Sequence, residues 1–281
     1  MPDVSVITTV HGRLDHLREM RRGLGRQHVD AEHVVVRMGG PEPWSVASGS
    51  PQLVPVEQPL PRSENDAAWL PLAAARNAGA AAASSDLLVF LDVDCIPSSR
   101  LLDRYQAASR TRRGLLCGPV GYLPDGFVAC SADDVRLAEA AAPHPARPEP
   151  PVGHLVAEPR YELFWSLSFA IRRTDFETLG GFHEGYVGYG GEDTDLAFKA
   201  RKQGMSLTWV GGATAWHQHH ATQSPPRQHL RAIVRNAILF HARWGSWPMQ
   251  GWLRAFADEG LVVWNAEGGE LRRTAVTQTP G

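Results

Sequence analysis

The chain has 281 residues, of which 43% are hydrophobic and 21% are charged, and its formal net charge is −2 at pH 7. A chain of this length can bury a full core, and its near-neutral charge excludes a surface dominated by basic residues, so no nucleic-acid partner is expected. All apolar runs are shorter than the ~18 residues of a membrane span, and the first residues lack a signal-peptide pattern, so we expect no transmembrane segment.

The first hundred residues alternate between strand and helix patterns. In chain order, the pattern predicts a strand at Val4–Val10, a helix at Leu14–Leu24, a strand at Ala31–Met38, a short strand near Leu53–Val56, a helix at Leu70–Ala83 and a strand at Leu87–Leu91. This alternation is typical of a parallel α/β sheet, in which ligands bind beyond the carboxyl ends of the strands. We therefore expect Thr8, Thr9, Met38, Asp92 and Asp94 to line one crevice.

The apolar run Leu87–Leu91 leads directly into Asp92 and Asp94. Residues two apart on a strand face the same side, so these two carboxylates are expected to face one cation. A divalent ion held by few carboxylates keeps positions open for phosphate groups, as in a nucleotide-sugar or nucleotide enzyme. The same tripeptide is also common as a solvated or capping strand end, so it does not decide the function alone.

The second half begins with a segment of different character. Residues 141–160 contain six prolines and predict a mobile or extended surface loop, which could fold over an acceptor as a lid. Further along the chain, the pattern predicts a strand at Phe164–Ile171, helices at Thr174–Leu179 and Asp193–Gln203, a strand at Met205–Val210, and helices at Ser224–Arg243 and Trp252–Gly260. The polar end from Asn265 onward is expected to be frayed.

A glycine-rich segment precedes one of these helices. Residues 180–191 include six glycines, and Glu192, Asp193 and Asp195 follow them directly. Acidic residues in a first helical turn complement the positive helix N-terminus, worth about 0.3–1 kcal/mol each. This structural role explains the acids, but it does not explain glycines on both sides of two aromatic residues just upstream.

Asp92-Val93-Asp94 followed by Gly190-Gly191-Glu192-Asp193 resembles the pattern of GT-A glycosyltransferases. The N-terminal half is similar to family-2 enzymes, and the glycine-rich segment is similar to a module of β-1,4-galactosyltransferases and polypeptide N-acetylgalactosaminyltransferases. The resemblance covers residues 4–220. It implies an α/β fold of the GT-A type, with a Rossmann-like, mostly parallel sheet flanked by helices. It also implies transfer of a sugar from a nucleotide-sugar donor to a hydroxyl group of a carbohydrate, glycolipid or small-molecule acceptor.

The resemblance divides the chain into regions. Residues 1–222 would form the glycosyltransferase domain, with a nucleotide-binding half at 1–100 and an acceptor-binding half at 101–222. Residues 223–281 would form a C-terminal helical extension and tail.

The same resemblance implies a set of donor-binding residues: Thr8, Thr9 and Arg13 near the base and ribose, Arg76 near the nucleotide, and Asp92 and Asp94 at the metal and diphosphate. Arg76 could equally pair with a surface carboxylate. The second strand ends in Arg37-Met38-Gly39-Gly40, where family-2 chains place an aspartate for the uracil ring. A UDP-sugar donor is therefore an expectation from the family alone.

On the acceptor side, Asp193 matches the general base, and Glu192 beside it would bind sugar or acceptor hydroxyls. The helix N-terminus should lower the pKa of Asp193, so closure of the glycine-rich loop would have to offset this effect. Trp165, Tyr189 and Gly191 flank the acidic motif and are candidates for contacts with acceptor or sugar. The Glu-Asp pair favours an inverting transfer, and a retaining transfer stays open.

A histidine cluster lies near residue 217. GT-A enzymes commonly take a metal ligand from this distal region, and we assign His217 first and His219 second, although spacing does not separate them from His220. Imidazole together with carboxylate and phosphate oxygens suits Mn²⁺, with Mg²⁺ as the alternative.

Two other functions compete with this interpretation. A nucleotidyltransferase should have a glycine-rich phosphate loop with Arg or Lys after the first strand, and Val10-His11-Gly12-Arg13 is a poor match. A catalytically silent carbohydrate-binding protein on the same fold stays open. The three cysteines form no pairwise motif, which favours reduced thiols and a cytoplasmic location, and the tryptophans near the C-terminus leave peripheral membrane association open.

Overall fold

The structure, a computed structural model, describes residues 2–39, 53–56, 69–221 and 223–274, which form three sheets and eight helices. The strands are β1 Val4–Val10, β2 Ala31–Met38, β3 Leu53–Val56, β4 Leu87–Leu91, β5 Cys95–Pro97, β6 Leu115–Cys117, β7 Val120–Tyr122, β8 Ala142–Pro143, β9 Leu155–Ala157, β10 Ser168–Arg172, β11 Leu207–Val210, β12 Ala215–His217, β13 Val262–Asn265 and β14 Glu270–Arg273. The helices are α1 Leu14–Leu24, α2 Leu72–Ala82, α3 Leu101–Thr111, α4 Asp134–Ala140, α5 Arg173–Leu179, α6 Glu192–Lys202, α7 Leu230–Trp244 and α8 Gln250–Asp258.

The central sheet has eight strands in the order β3-β2-β1-β4-β10-β6-β11-β9. Strands β3, β2, β1, β4, β6 and β11 run in one direction, and β10 and β9 run in the opposite direction. A second sheet, in the order β5-β12-β7-β8, adjoins its carboxyl edge. The structure therefore confirms the expected α/β fold with a mostly parallel sheet.

Both faces of the central sheet are buried. On one face, α2 and α6 pack over a core in which the rings of Phe90 and Phe169 stack with centroids 4.6 Å apart. A Cβ at Gly79 of α2 would lie 2.4 Å from Cγ2 of Ile7, so the close approach of this helix to β1 requires glycine. On the other face, α1 and α3 pack through Met20 and Tyr105. Burial on both sides accounts for the nearly uninterrupted apolar strands.

Several predicted elements have the predicted bounds, namely the first three strands and the first helix. Strand β10 begins at Ser168 rather than Phe164, because a 3₁₀ turn at Tyr161–Leu163 and an irregular stretch precede it. Helix α7 begins at Leu230, because a 3₁₀ turn at Arg227–His229 follows the two prolines.

The polar end was predicted to be frayed, and for part of it this is wrong. Residues Glu270–Arg273 form β14, which pairs with β13 in an antiparallel hairpin. Leu271 of this hairpin packs against a core that α7 and α8 share. The apolar residue at this position, which the polar composition obscured, explains the order of the segment.

The proline-rich segment 141–160 is extended, as one of the two expectations stated. Strand β8 pairs with β7, and β9 pairs with β11 as the edge strand of the central sheet, so both ends of the segment belong to sheets. None of the helices in the described ranges has the length and hydropathy that a membrane span requires.

Candidate active site

Two carboxylates, Asp92 and Asp94, follow the carboxyl end of β4 and have different partners. Strand β4 ends at Leu91, and the chain turns before β5 begins at Cys95. Because Asp92 and Asp94 do not share a continuous strand, the rule that residues two apart face the same side does not apply to them. In the structure Asp92 lies beside Arg76 and Asp94 lies beside Arg13, so each carboxylate has a different cationic partner.

Arg76 joins Asp92 to the N-terminus of α6. Its Nη2 lies 3.2 Å from Oδ1 of Asp92, and its Nη1 lies 3.1 Å from Oε1 of Glu192. The guanidinium also stacks 5.3 Å from the ring centroid of Phe182, and the residue is only 4% exposed. Arg76 and Glu192 are 116 positions apart in the chain, and this contact joins them in one buried charged group.

Asp92, Glu192 and Asp193 form an acidic cluster around this single guanidinium. Burial raises the pKa of Asp193 to about 7, and the neighbouring Glu192 adds to this increase. Burial also raises the pKa of Asp92 to about 6, against the opposing effect of Arg76. The backbone N–H of Thr194 donates to Oδ1 of Asp193 at 2.7 Å and lowers its pKa, but burial and Glu192 outweigh this contact of the helix N-terminus.

One oxygen of the acidic cluster lacks a partner. Oε2 of Glu192 is shielded from solvent and has no hydrogen-bond partner among the described residues. Buried carboxylate oxygens are nearly always hydrogen-bonded in folded proteins. A hydroxyl donor from a ligand would satisfy this oxygen.

A second group of ligating side chains lies around Asp94. Atoms of Asp94, His217 and His220 all lie within 4.8 Å of one another. Nε2 of His217 is 3.6 Å from Oδ1 of Asp94, and Nε2 of His220 is 3.5 Å from Oδ2. The pairing of β12 with β5 sets His217 opposite Cys95 and so brings it beside Asp94. One carboxylate and two imidazoles can hold a divalent transition-metal ion and leave positions for other ligands.

His219 does not belong to this group. Strand β12 ends at His217, and the backbone N–H of Gln218 donates to the carbonyl of Asp94 at 2.7 Å. After this contact His219 turns outward, and its Nδ1 lies 3.1 Å from Oδ1 of Asp125 in a separate pocket of about 110 Å³. The end of the strand therefore decides that His220, rather than His219, lies beside Asp94.

The residues that were expected at the nucleotide differ in their burial and in their contacts. Arg13 has a left-handed backbone conformation with φ of 52°, and its guanidinium contacts Asp94. Thr8 is fully buried, and its hydroxyl is 3.0 Å from Nε2 of His33 on the neighbouring strand. Thr9 is 7% exposed. Of the three, Arg13 is the residue that the structure brings to the Asp94 group.

Tyr189 lies on the other side of the acidic cluster, among residues of the C-terminal helices. The residue is 41% exposed, and its ring stacks on His229 with centroids 4.7 Å apart and lies 5.7 Å from the ring of Trp252. Burial raises the pKa of its hydroxyl, and the carboxylates of Asp193 and Glu192 add to the increase. An aromatic surface therefore borders the acidic cluster.

Trp165 belongs to a different row of rings, which connects to His217 through His144 and Tyr122. The ring of His144 meets it edge-on with centroids 4.7 Å apart, and the guanidinium of Arg147 lies 5.1 Å from its centroid. Tyr122 continues this row, because its ring centroid is 5.1 Å from that of His217. A row of rings thus leads away from the candidate cation group.

The two glycines before α6 allow close packing of the C-terminal helices. Gly190 and Gly191 have φ of 94° and 95°, and a Cβ at Gly190 would lie 2.6 Å from Sδ of Met249. Asn236 of α7 is fully buried and donates to the carbonyl of Tyr189 at 3.3 Å. Gly191, expected to contact acceptor or sugar, lies at the N-terminal boundary of α6 against Tyr186.

The C-terminal helices also fix the helix that presents Glu192 and Asp193. Asp195 of α6 is fully buried and accepts hydrogen bonds from Nε of Arg243 and Nε1 of Trp244, each at 2.7 Å. The hydroxyl of Tyr186 donates to the same carboxylate at 3.2 Å. This network makes α7 part of the support of the site.

The chain is similar in sequence to sugar-transferring enzymes. Residues 154–222 match the family model described as the N-terminal domain of galactosyltransferase. Two curated relatives are the validoxylamine A glucosyltransferases of Streptomyces hygroscopicus subsp. jinggangensis (strain 5008) and subsp. limoneus, each 26% identical over 169 residues. The matched part is 49% of this chain and 36% and 34% of those proteins, so the chain spans about a third of the length of the curated relatives that it matches.

Two solved structures share the fold. The crystal structure of S. aureus TarS 1–349 matches with a TM-score of 0.56 and 13% identity over 84% of this chain and 64% of that chain. The crystal structure of GalNAc-T7 with UDP, GalNAc and Mn²⁺ matches with a TM-score of 0.56 and 14% identity over 87% of this chain and 51% of that chain. The chain has the GT-A glycosyltransferase fold.

Within this GT-A fold, sequence patterns missed several residues that border the site. They are Tyr122, His144, Arg147, His229, Asn236 and Arg243. The unusual density of histidine, tryptophan and arginine after residue 140 was the available signal. Spacing alone could not select among them, because their partners lie far away in the chain.

Proposed function

We propose that this protein is a metal-dependent glycosyltransferase that moves a sugar from a nucleotide-sugar donor, with a UDP-sugar as the first candidate, to a hydroxyl acceptor. The observation that supports this most is the Arg76 bridge. It brings the strand-end carboxylate Asp92 and the acidic helix start at Glu192 and Asp193 to one crevice, next to the Asp94 group. The names of the similar proteins, two glucosyltransferases and GalNAc-T7 with UDP, GalNAc and Mn²⁺, agree with this reaction class.

Asp94, His217 and His220 would hold the metal ion. Their mixture of one carboxylate and two imidazoles fits Mn²⁺ better than Mg²⁺, which prefers oxygen ligands. When bound, such an ion stabilises the negative charge that develops on a diphosphate leaving group. Arg13, which contacts Asp94, would supply a second positive charge on the same side.

Asp193 would act as the base. A carboxylate with a pKa of about 7 is ionised in a large fraction of molecules at neutral pH and is basic enough to accept a proton from a hydroxyl group in the transition state. Glu192 would hold a sugar or acceptor hydroxyl through its unpartnered Oε2. A base on the side of the sugar opposite the leaving group gives inversion of the anomeric carbon, which is the stereochemistry that we propose.

The aromatic surface of Tyr189, His229 and Trp252 would support the acceptor. Flat aromatic rings beside an acidic cluster suit a sugar, whose apolar face can stack while its hydroxyls bind carboxylates. His229 and Trp252 belong to the C-terminal elements, so the extension would contribute to acceptor binding as well as to support.

Thermal stabilisation tests the proposal across donors. UDP-, GDP- and dTDP-sugars are screened with Mn²⁺ and with EDTA, because a ligand that binds only the folded state raises the melting temperature by mass action. We expect one nucleotide class to stabilise the protein with Mn²⁺ only, and that donor is then tested for transfer to carbohydrate acceptors and for the anomeric configuration of the product. Stabilisation by none of the donors would contradict the proposal.

A further inference from the structure

Arg147 is a buried cation whose hydrogen-bond donors are unused. It lies in the proline-rich segment between β8 and β9 and is 8% exposed. Its Nε, Nη1 and Nη2 are shielded from solvent, and none of them has a hydrogen-bond partner among the described residues. A guanidinium has five N–H donors and does not lose its charge in a protein. A buried cation in this state needs a further group to complete it.

The guanidinium lies against two tryptophan rings. Its central carbon lies 4.7 Å from the ring centroid of Trp209 and 5.1 Å from that of Trp165. Contacts of this kind compensate part of the charge, but they leave the N–H groups at the edge of the guanidinium without acceptors.

Glu158, one of the two carboxylates of the same segment, has other partners. It accepts the indole N–H of Trp209 at 3.1 Å, and Arg160 binds it at 2.8 Å. Arg147 is therefore held in place by aromatic contacts and is not neutralised by Glu158.

The guanidinium borders the row of rings that leads to the candidate cation group. Arg147 lowers the pKa of the Tyr122 hydroxyl against the larger effect of burial, although the contact lacks hydrogen-bond geometry. The ring of Tyr122 lies 5.1 Å from His217 and 6.1 Å from His144, and His144 in turn lies 4.7 Å from Trp165. A series of ring contacts therefore connects Arg147 to His217 of the Asp94 group.

We propose that Arg147 binds an oxyanion, a phosphate or carboxylate group, on a ligand in this active site. A guanidinium binds either group through two parallel hydrogen bonds in its own plane, and the Nε, Nη1 and Nη2 donors of Arg147 have no partner among the described residues. This role depends on the glycosyltransferase function proposed above. Two ligands can supply the oxyanion: the diphosphate of the donor, or an acidic group on the acceptor.

Calorimetric titration distinguishes these sources. The full chain with Mn²⁺ is titrated with UDP and uridine, and with glucuronate, glucose 6-phosphate and glucose. In Arg147→Met, we expect at least tenfold weaker binding of UDP, with uridine unchanged, if the donor supplies the oxyanion. At least tenfold weaker binding of glucuronate or glucose 6-phosphate, with glucose unchanged, is expected if the acceptor supplies it. Unchanged affinity for all of these anions would overturn the proposal.

Arg201→Met is the matched control, because that guanidinium also stacks on an aromatic ring, 4.0 Å from Phe198, but lies on the exposed end of α6. It should bind every probe as the wild type does. If the wild type itself binds no UDP in the presence of Mn²⁺, the glycosyltransferase function fails regardless of Arg147. If the wild type binds UDP and Arg147→Met binds every anion as tightly as the wild type does, only the role of Arg147 fails.

The melting temperature without ligand separates anion binding from a structural role. Arg147→Met removes an unpaired buried charge and keeps an apolar chain of similar length, so we expect an equal or higher melting temperature. A lower melting temperature together with unchanged anion affinity would show a structural role and overturn the proposal. Arg147→Lys keeps the charge but lacks the planar pair of donors, and it should bind the same anion more weakly than the wild type even if Arg147→Met does not fold.

Discussion

The two charged groups of the crevice differ in how their negative charge is compensated. In the Asp94 group, one carboxylate faces a guanidinium and two imidazoles. In the acidic cluster, the three carboxylates of Asp92, Glu192 and Asp193 share the single guanidinium of Arg76. The first group is suited to hold a cation by its mixture of ligands. In the second group, excess negative charge and burial raise carboxylate pKa values, which produces a base. The surroundings of each carboxylate, rather than its residue type, thus determine which of the two functions it is suited to.

The largest expected effect is loss of the base. Asp193→Asn keeps the shape of the side chain but removes the proton acceptor, so we expect the transfer rate to fall by about 10²–10⁴-fold. Mn²⁺-dependent binding of the donor should remain, because Asp193 lies outside the Asp94 group. Steady-state kinetics and calorimetry measure the two properties, with Asp258→Asn on the surface of α8 as the control. Full transfer activity in Asp193→Asn would exclude it as the base.

The second prediction separates two histidines that are adjacent in the chain. His220→Ala removes one of the three ligating side chains, so Mn²⁺ affinity should fall by at least ~10-fold. His219→Ala should leave Mn²⁺ affinity unchanged, because its imidazole lies beside Asp125. Titration with Mn²⁺ measures both variants. The reverse order of effects would contradict the arrangement around Asp94.

The third prediction concerns the pH dependence of transfer. Since Asp193 must be ionised to accept a proton and its pKa is about 7, kcat/KM should fall about tenfold per unit as the pH decreases below 7. Glu192→Gln removes a negative neighbour, so the decrease should move to lower pH. Because the acids of this cluster interact, the observed pKa belongs to the cluster. The exposed variant Glu177→Gln should not move the profile, and a profile that ignores Glu192 would refute the coupling.

The smallest effect is on stability. An aspartate ordinarily has a pKa of 3.8, whereas Asp193 in the folded protein has a pKa of about 7, so the folded protein binds a proton more tightly than the unfolded chain. Its contribution to stability is therefore present at low pH and is lost as the pH rises towards 7. Without metal, the stability of Asp193→Asn relative to wild type should increase between pH 5 and pH 8 by on the order of 1–3 kcal/mol.

Thermal unfolding in EDTA measures this difference. If the helix N-terminus dominated instead, the pKa of Asp193 would be lowered, and the variant would lose stability relative to wild type as the pH rises. The sign of the change therefore decides between burial and the helix N-terminus.

The sequence predicted local elements well and long-range contacts poorly. The bounds of β1, α1 and β2 follow from apolar periodicity and from glycines and prolines near their ends. These signals act over a few residues and need no knowledge of the fold. The position of the acidic residues at strand and helix ends was predictable for the same reason.

The partners of those acidic residues were not predictable, because they depend on pairing between distant segments. His220 lies beside Asp94 because β12 pairs with β5 and ends at His217. Arg76 could have paired with any surface carboxylate, and the sheet places it between Asp92 and Glu192. The contacts of Arg147 could not be predicted either, because its tryptophan partners come from two other segments.

The Asp94 group is proposed to hold a metal ion that is needed for nucleotide binding, and the whole proposed function depends on this role. Calorimetric titration of UDP into the protein with Mn²⁺, with EDTA, and into His220→Ala with Mn²⁺ tests it directly. We expect binding by the wild type with Mn²⁺ only, and at least ~10-fold weaker binding by His220→Ala at limiting Mn²⁺. UDP binding that is equally strong in EDTA, or no UDP binding under any of these conditions, would contradict it.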